Sequence, residues 1–327
     1  MKQNLIMAAA LACLCASCAN DAVIEENRAS DEIKFRVNTE GTTRADIYCP
    51  NNMFTAFDLY AYDNSGALMI DGDQISKSGN DWINSTITRY WPETGNVTFF
   101  GIKNAEFGET TPAALTDGSI QTEKFTVAAA VADQVDFVYA RNTGSKSNSP
   151  VALNFRHALS QIVYNAKITN ESLTVVIDEI SICNAAKSGV YTLPKGATTG
   201  QVTEGNDHVG SGWSDANNTR GSWTVDDDVQ SYKITTNTTL NSTNKSASIS
   251  TANSATALML IPNAALEAWV PAKGEAVSET SGTYFLIKAK ITQKNSDTEA
   301  EATIWDGNIA IPVNIAGWVE GKRYIYT

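Results

Sequence analysis

The chain has 327 residues, 43% of them hydrophobic and 18% charged, with a formal net charge of −12. That composition excludes a disordered chain and is enough for two globular domains, each with its own core. The acidic balance, with no basic block, argues against nucleic acid and anionic lipid surfaces as partners.

The first element is a targeting segment. Lys2 supplies a positive charge, and Leu5 to Ala16 is an apolar run of about a dozen residues, too short to cross a bilayer as a helix. In the following CASCAND, the small Ala16 and Ser17 precede Cys18, an arrangement that resembles a bacterial lipobox with Cys15 where leucine is usual. Residues 1–17 therefore read as a lipoprotein signal peptide, with Cys18 as the lipidated residue; an ordinary signal peptide is the alternative. Cys15-Ala-Ser-Cys18 also matches a redox CxxC, but its first cysteine would leave with the signal. Cys49 and Cys183 remain, either as small buried residues or as a pair in an oxidising compartment. Residues 18–32, with Asp21, Glu25, Glu26 and Asp31, read as a polar tether.

Strand signals then dominate. Ile33, Phe35 and Val37 alternate with Lys34, Arg36 and Asn38, and Phe57, Leu59 and Ala61 alternate with Asp58, Tyr60 and Tyr62. Val97, Phe99 and Gly101 lie in another strand, and Phe137-Val-Tyr in another. Turn formers separate them: Asn64-Ser-Gly, Asp71-Gly-Asp and Thr94-Gly-Asn. In VALNFRHALSQIVYNAKI (151–168), Leu153, Phe155 and His157 share a face. Past Gln161 the apolar set changes phase to Ile162, Tyr164 and Ala166, as a bulge or a crossing between sheets would leave it. His157 therefore reads as a packed, hydrogen-bonded residue of the wall rather than a base or a metal ligand.

The second half repeats the style. Leu173, Val175 and Ile177 alternate, then shift to Ile180 and Ile182. Residues 235–256 are almost all Ser, Thr and Asn, and read as an exposed loop or a solvated edge hairpin. Ala257 to Ile261 is a continuous apolar run; Phe285 to Ile291 alternates again, followed by Ile309, Ile311 and Val313, then Tyr324 to Tyr326. Short helices are expected only near Ala128–Ala132 and Ala264–Trp269. The pattern predicts an all-β fold of two β-sandwich domains, 33–148 and 149–327, divided at the composition break Asn142–Pro150.

Catalytic motifs are missing from the sequence. It has no HExxH, GxSxG or glycine-rich phosphate loop, and His157 and His208 lie on unlike segments. Asp226-Asp-Asp228 and Asp71-Gly-Asp73 read as acidic turns, since neither continues into a calcium loop. No cofactor or metal is expected. Of seven tryptophans, Trp213 and Trp223 sit in a Gly/Ser/Asn-rich stretch and are the candidates for exposed ligand platforms.

Five phrases in order carry a resemblance: GTTRAD around Arg44, RYWPETGNVTFFG around Trp91-Pro92, NFRHALS (154–160), LMLIPN (258–263) and the terminal GWVEGKRYIYT (317–327). Their order and spacing are similar to the fimbrillin-like lipoproteins of Bacteroides-type bacteria, the type V pilin group. The resemblance implies transthyretin-like sandwich topology, no enzymatic activity, and display at the outer membrane through a lipid. It also implies processing between Arg44 and Ala45, loss of the strand Ile33 to Asn38, and filling of the emptied groove by a strand from another pilin-like subunit. Many members continue past the tyrosine-rich strand; a subunit ending at Thr327 would accept a strand without donating one, as an anchor or tip component. The alternative is a surface glycan-binding lipoprotein for polysaccharide uptake, using the tryptophans on a host or bacterial glycan.

Overall fold

The computed structural model describes residues 31–39, 55–108, 120–198, 220–250, 256–262, 282–294, 300–313 and 317–327. The fold is all-β. In the first half the strands are β1 (Phe35–Thr39), β2 (Ala56–Asp63), β3 (Leu68–Ser78), β4 (Asp81–Asn84), β5 (Val97–Lys103), β6 (Phe125–Thr126), β7 (Val138–Gly144) and β8 (Val151–His157). The second half contributes β9 (Ser160–Lys167), β10 (Leu173–Ala186), β11 (Ser188–Thr192), β12 (Ser222–Val225), β13 (Val229–Leu240), β14 (Ser246–Ser248), β15 (Leu258–Leu260), β16 (Tyr284–Gln293), β17 (Ala302–Pro312) and β18 (Arg323–Tyr326).

Seven strands of the first half close on themselves in the order β1-β4-β3-β2-β5-β7-β8. Strand parity explains the interior. Phe57, Leu59, Val97, Phe99, Leu153 and Phe155 belong to one buried cluster inside this sheet. β5 reads VTFFGIK because its other face is buried too. There Phe100 and Ile102 join Tyr62 and Tyr139 in a second cluster that continues into the second half. β8 lies beyond the composition break at 142–150, yet it pairs with β1 and β7. The break marks the turn between β7 and β8 rather than a change of sheet.

The phase change after Gln161 is a crossing between sheets. β8 belongs to the first sheet, whereas β9 pairs with β14, β15 and β18. A second layer, in the order β13-β10-β16-β17, faces it across the larger core, where Phe285 meets Tyr326 at 4.6 Å between ring centres. The shift from Ile177 to Ile180 is a bulge, since the pairing of β10 with both neighbours slips between Ile177 and Glu179. Residues 235–240 are part of β13, an edge strand with solvated alternate residues, rather than a loop. Near Ala128–Ala132 a short 3₁₀ turn covers Val131–Asp133; Ala264–Trp269 falls outside the described residues.

A small third sheet, β12-β11-β6, ties the halves together. Beside it lies a buried carboxylate. Glu320 accepts hydrogen bonds from the hydroxyl of Tyr191 on β11 (2.7 Å) and from that of Tyr139 on β7 (3.2 Å). Burial pushes the Glu320 carboxyl up to about 7, against the opposing pull of the Arg220 and Arg156 guanidinium groups and the two tyrosine bonds. The hydroxyls of Tyr139 and Tyr191 are raised as well, chiefly by the same burial.

Candidate functional site

β1 is a strand because its residues alternate, and it closes the first sheet. It runs parallel to β8, from Phe35 opposite Val151 to Thr39 opposite Phe155. Upstream, Ile33 N–H donates to the Arg89 carbonyl at 2.9 Å, and Trp91 N–H donates to the Asp31 carbonyl at 2.8 Å. Ile33 is buried, and Phe35 and Val37 are half-buried against the inner cluster, while Lys34 and Arg36 face water. The Phe35 ring meets Phe99 edge-on at 5.5 Å. On its other side β1 touches β4 at one rung only among the described residues, Phe35 opposite Trp82.

That seam is open because β4 stops early. The Asn84 side-chain carbonyl accepts from the Thr86 and Ile87 backbone N–H groups, both at 3.0 Å, which turns the chain away after four residues. The Asn84 amide donates to Asp73 at 2.9 Å, and the same carboxylate receives Arg89 through Nε at 2.7 Å and Nη2 at 2.8 Å. This clamp ties both ends of residues 84–89 to β3, and the chain between Asn84 and Arg89 bows away from β1 before Arg89 meets Ile33. Between them a cavity of about 270 Å³ descends from Ile83 and Ile87 at the surface to Leu59 and Ile75 of the inner core. Asn84 and Arg89 carry no flag in the sequence, and Asp73 reads there only as part of an acidic turn; the signal for this clamp is Asn84-Ser-Thr, an Asx-turn former directly after a strand.

The other expected residues divide clearly. Cys18, Arg44, Ala45, Cys49 and Trp213 lie outside the described residues. By sequence position the Arg44–Ala45 bond falls in the connection between the end of β1 and the start of β2. Cys183 is buried beside Tyr284. His157 sits in the wall: its side chain is 4% exposed and Nδ1 lies 2.6 Å from an Asp136 carboxylate oxygen. Trp223 requires a correction, because it is half-buried rather than an open platform. Its indole N–H donates to the Ala158 carbonyl at 2.7 Å, and Phe125, Phe137 and Tyr191 pack around the ring. The polar composition around Trp223 reflects the exposed alternate residues of β12, not the surroundings of its own ring. Trp305 on β17 is the more exposed indole, at 44%.

Among the described residues, no group of three or more His, Cys, Asp or Glu side chains is placed to hold a metal ion. Asp71-Gly-Asp73 is not a turn: it lies inside β3, and Asp73 is opposite Leu59 in the ladder. In the Asp226–Asp228 connection, Asp226 takes Lys124 at 2.7 Å and the Ser188 hydroxyl at 2.6 Å. What the β1 slot offers chemically is a strand edge over an apolar interior.

The sequence profile of the fimbrillin-like family matches residues 43–327. The chain belongs to the fimbrillin-like family. No curated protein sequence matches it. Solved structures with similar chain courses include a candidate cell adhesion protein from Bacteroides uniformis: 15% identity, TM-score 0.44, 90% of this chain and 91% of that one. Another, from Parabacteroides distasonis, has 11% identity and TM-score 0.42 over 86% and 84% of the two chains. The fimbrial anchor protein Mfa2 of Porphyromonas gingivalis shares 12% identity at TM-score 0.30, over 84% of this chain and 82% of Mfa2. Within this fimbrillin-like chain, β1 lies ahead of the matched residues.

Proposed function

We propose that this fimbrillin-like protein is a surface lipoprotein, held at the outer membrane through Cys18, that serves as a structural or adhesive subunit of a fimbrial fibre. It joins other pilin-like subunits by β-strand addition and performs no catalysis. The observation that carries the reading is the seating of β1: a five-residue strand in a parallel ladder with β8, nearly unpaired to β4, lying over apolar core. A trypsin-like protease acting between Arg44 and Ala45 severs β1 from β2. The strand is then held by its ladder, its half-buried apolar face and the bonds of residues 31–33 to 89–91. Its departure opens a groove whose β8 edge presents unpaired backbone groups, and an extended segment with apolar residues at alternate positions restores both pairing and burial.

The glycan-binding reading draws no support from Trp223, whose ring serves the core. The test is direct. Limited digestion should remove the residues up to Arg44, as read by intact mass. The cut protein should then take up an extended peptide matching residues 31–39, or form multimers that dissociate on heating. A protein that is cut at Arg44, loses β1, and takes up neither peptide nor partner would end the proposal.

A further inference from the structure

The cavity at the β1–β4 seam adds a route to this exchange. We infer that it is the entry point for the displacing strand: one large apolar side chain of the incoming strand docks there before β1 leaves. The inference rests on the strand-addition reading and names the step that starts it. Three observations place the step at this seam. The β8 side of β1 carries five rungs, so invasion there must first break a ladder; on the other side the chain is paired at Phe35–Trp82 and again upstream, where residues 31–33 bond to 89–91, and the stretch between those two points is open. The seam contains a preformed cavity of about 270 Å³ that reaches Leu59 and Ile75. An apolar cavity of about 150 Å³ already holds a benzene ring, so this one has the volume for a leucine or phenylalanine side chain, which would sit against Leu59 and Ile75 at its base with polar groups such as Asp81 and Thr88 around it. Its mouth carries two large apolar residues in water, Ile83 at 42% and Ile87 at 47% exposure, beside the polar groups of Arg89 and Glu32.

The occupant is specified by these walls. An apolar side chain gains burial in the cavity, and the backbone on either side of it lies along β4, whose edge toward β1 is paired only at Trp82 among the described residues. Displacement then proceeds from a bound intermediate, and loss of β1–β8 rungs is matched by gain of new ones. A lipid or a free small molecule could fill the cavity but would leave the β4 edge unpaired. The Asp73–Asn84–Arg89 clamp keeps the mouth open in the resting protein.

The experiment measures exchange kinetics in the full chain cleaved after Arg44. A labelled peptide of residues 31–39 displaces the resident strand, with its concentration varied. Entry at the seam makes the displacement rate rise with peptide concentration, because the incoming strand acts before the old one leaves. Ile83→Trp and Ile87→Trp, made singly, fill the mouth from exposed positions. Each is expected to cut the concentration-dependent rate by about tenfold, with the thermal midpoint of the uncut chain unchanged. A Phe35→Gly peptide should lose the concentration dependence in the unmodified protein. A displacement rate independent of peptide concentration, or one that survives both tryptophan variants, overturns the inference and leaves strand addition standing. Absence of any peptide uptake after β1 has gone overturns strand addition itself.

Discussion

Phe35 on β1 and Trp82 on β4 stand opposite each other as the one rung between these two strands among the described residues. Phe35 also meets Phe99 of the inner core at 5.5 Å. It therefore serves both to close the sheet and to bury the strand. Phe35→Ala should cost about 2 kcal/mol, less than a fully buried phenylalanine because the ring is half-exposed. Denaturant midpoints of the intact chain measure this. In the chain cleaved after Arg44 the same substitution should release the N-terminal fragment faster, whereas Lys34→Ala, on the exposed face, should not. Equal retention of both strands would show that the apolar face is not what seats β1.

His157 is held by Asp136 at 2.6 Å in the wall, next along the strand face from Phe155 and Leu153. His157→Ala removes a buried ring and its bond to the part-buried Asp136 carboxylate, and should lower stability by about 1–3 kcal/mol. Peptide uptake by the cleaved protein should be unchanged at temperatures where the variant is folded. Loss of uptake with an unchanged melting temperature would assign His157 a role in binding instead.

Gly101 on β5 leaves room for the Phe155 ring. A Cβ at that position would lie 2.6 Å from Phe155 Cζ and 3.2 Å from a Phe57 ring carbon. Gly101→Ala should therefore destabilise by about 1–3 kcal/mol through overpacking. Combining it with Phe155→Leu should recover part of that loss, since the two changes share one space. Calorimetric midpoints of the four proteins decide it; strictly additive losses would mean that the backbone, not the ring, gives way.

Much of this fold could be read along the chain because a strand writes its faces into alternate residues. The phase changes at Gln161 and after Ile177 located a sheet crossing and a bulge, and the shared parity of His157 and Phe155 placed the histidine in the wall. What alternation does not encode is the neighbour. β8 reads like any other strand, yet it pairs back to β1 and β7 across the composition break. Two-residue β6 pairs with β11 some sixty residues later, too short to leave a pattern. The polarity that flanks Trp223 says nothing about its own exposure, because successive residues of β12 face opposite ways. The open seam beside β1 depends on where β4 ends, which is set by the Asn84 turn and its hold on Asp73, a contact between residues of different strands.

Glu320 links acidity to stability. Its folded carboxyl is raised to about 7 from an ordinary 4.5, mainly by burial, with Tyr139, Tyr191, Arg156 and Arg220 around it. Between those two values the folded protein holds a proton that the unfolded chain has released. Stability from this group is therefore greatest at the acid end of the window, falls as pH rises through it, and is flat above about 7. The full span is worth roughly 3 kcal/mol. Glu320→Gln keeps an acceptor for the tyrosine hydroxyls and removes the titration. The stability difference between the protein and this variant should shift by that amount between about pH 4 and about pH 8, in favour of the variant at the higher value. Urea midpoints at both pH values read it out. A difference that stays constant would show that the folded carboxyl titrates as it does in the unfolded chain, the two arginines and the tyrosine bonds offsetting burial.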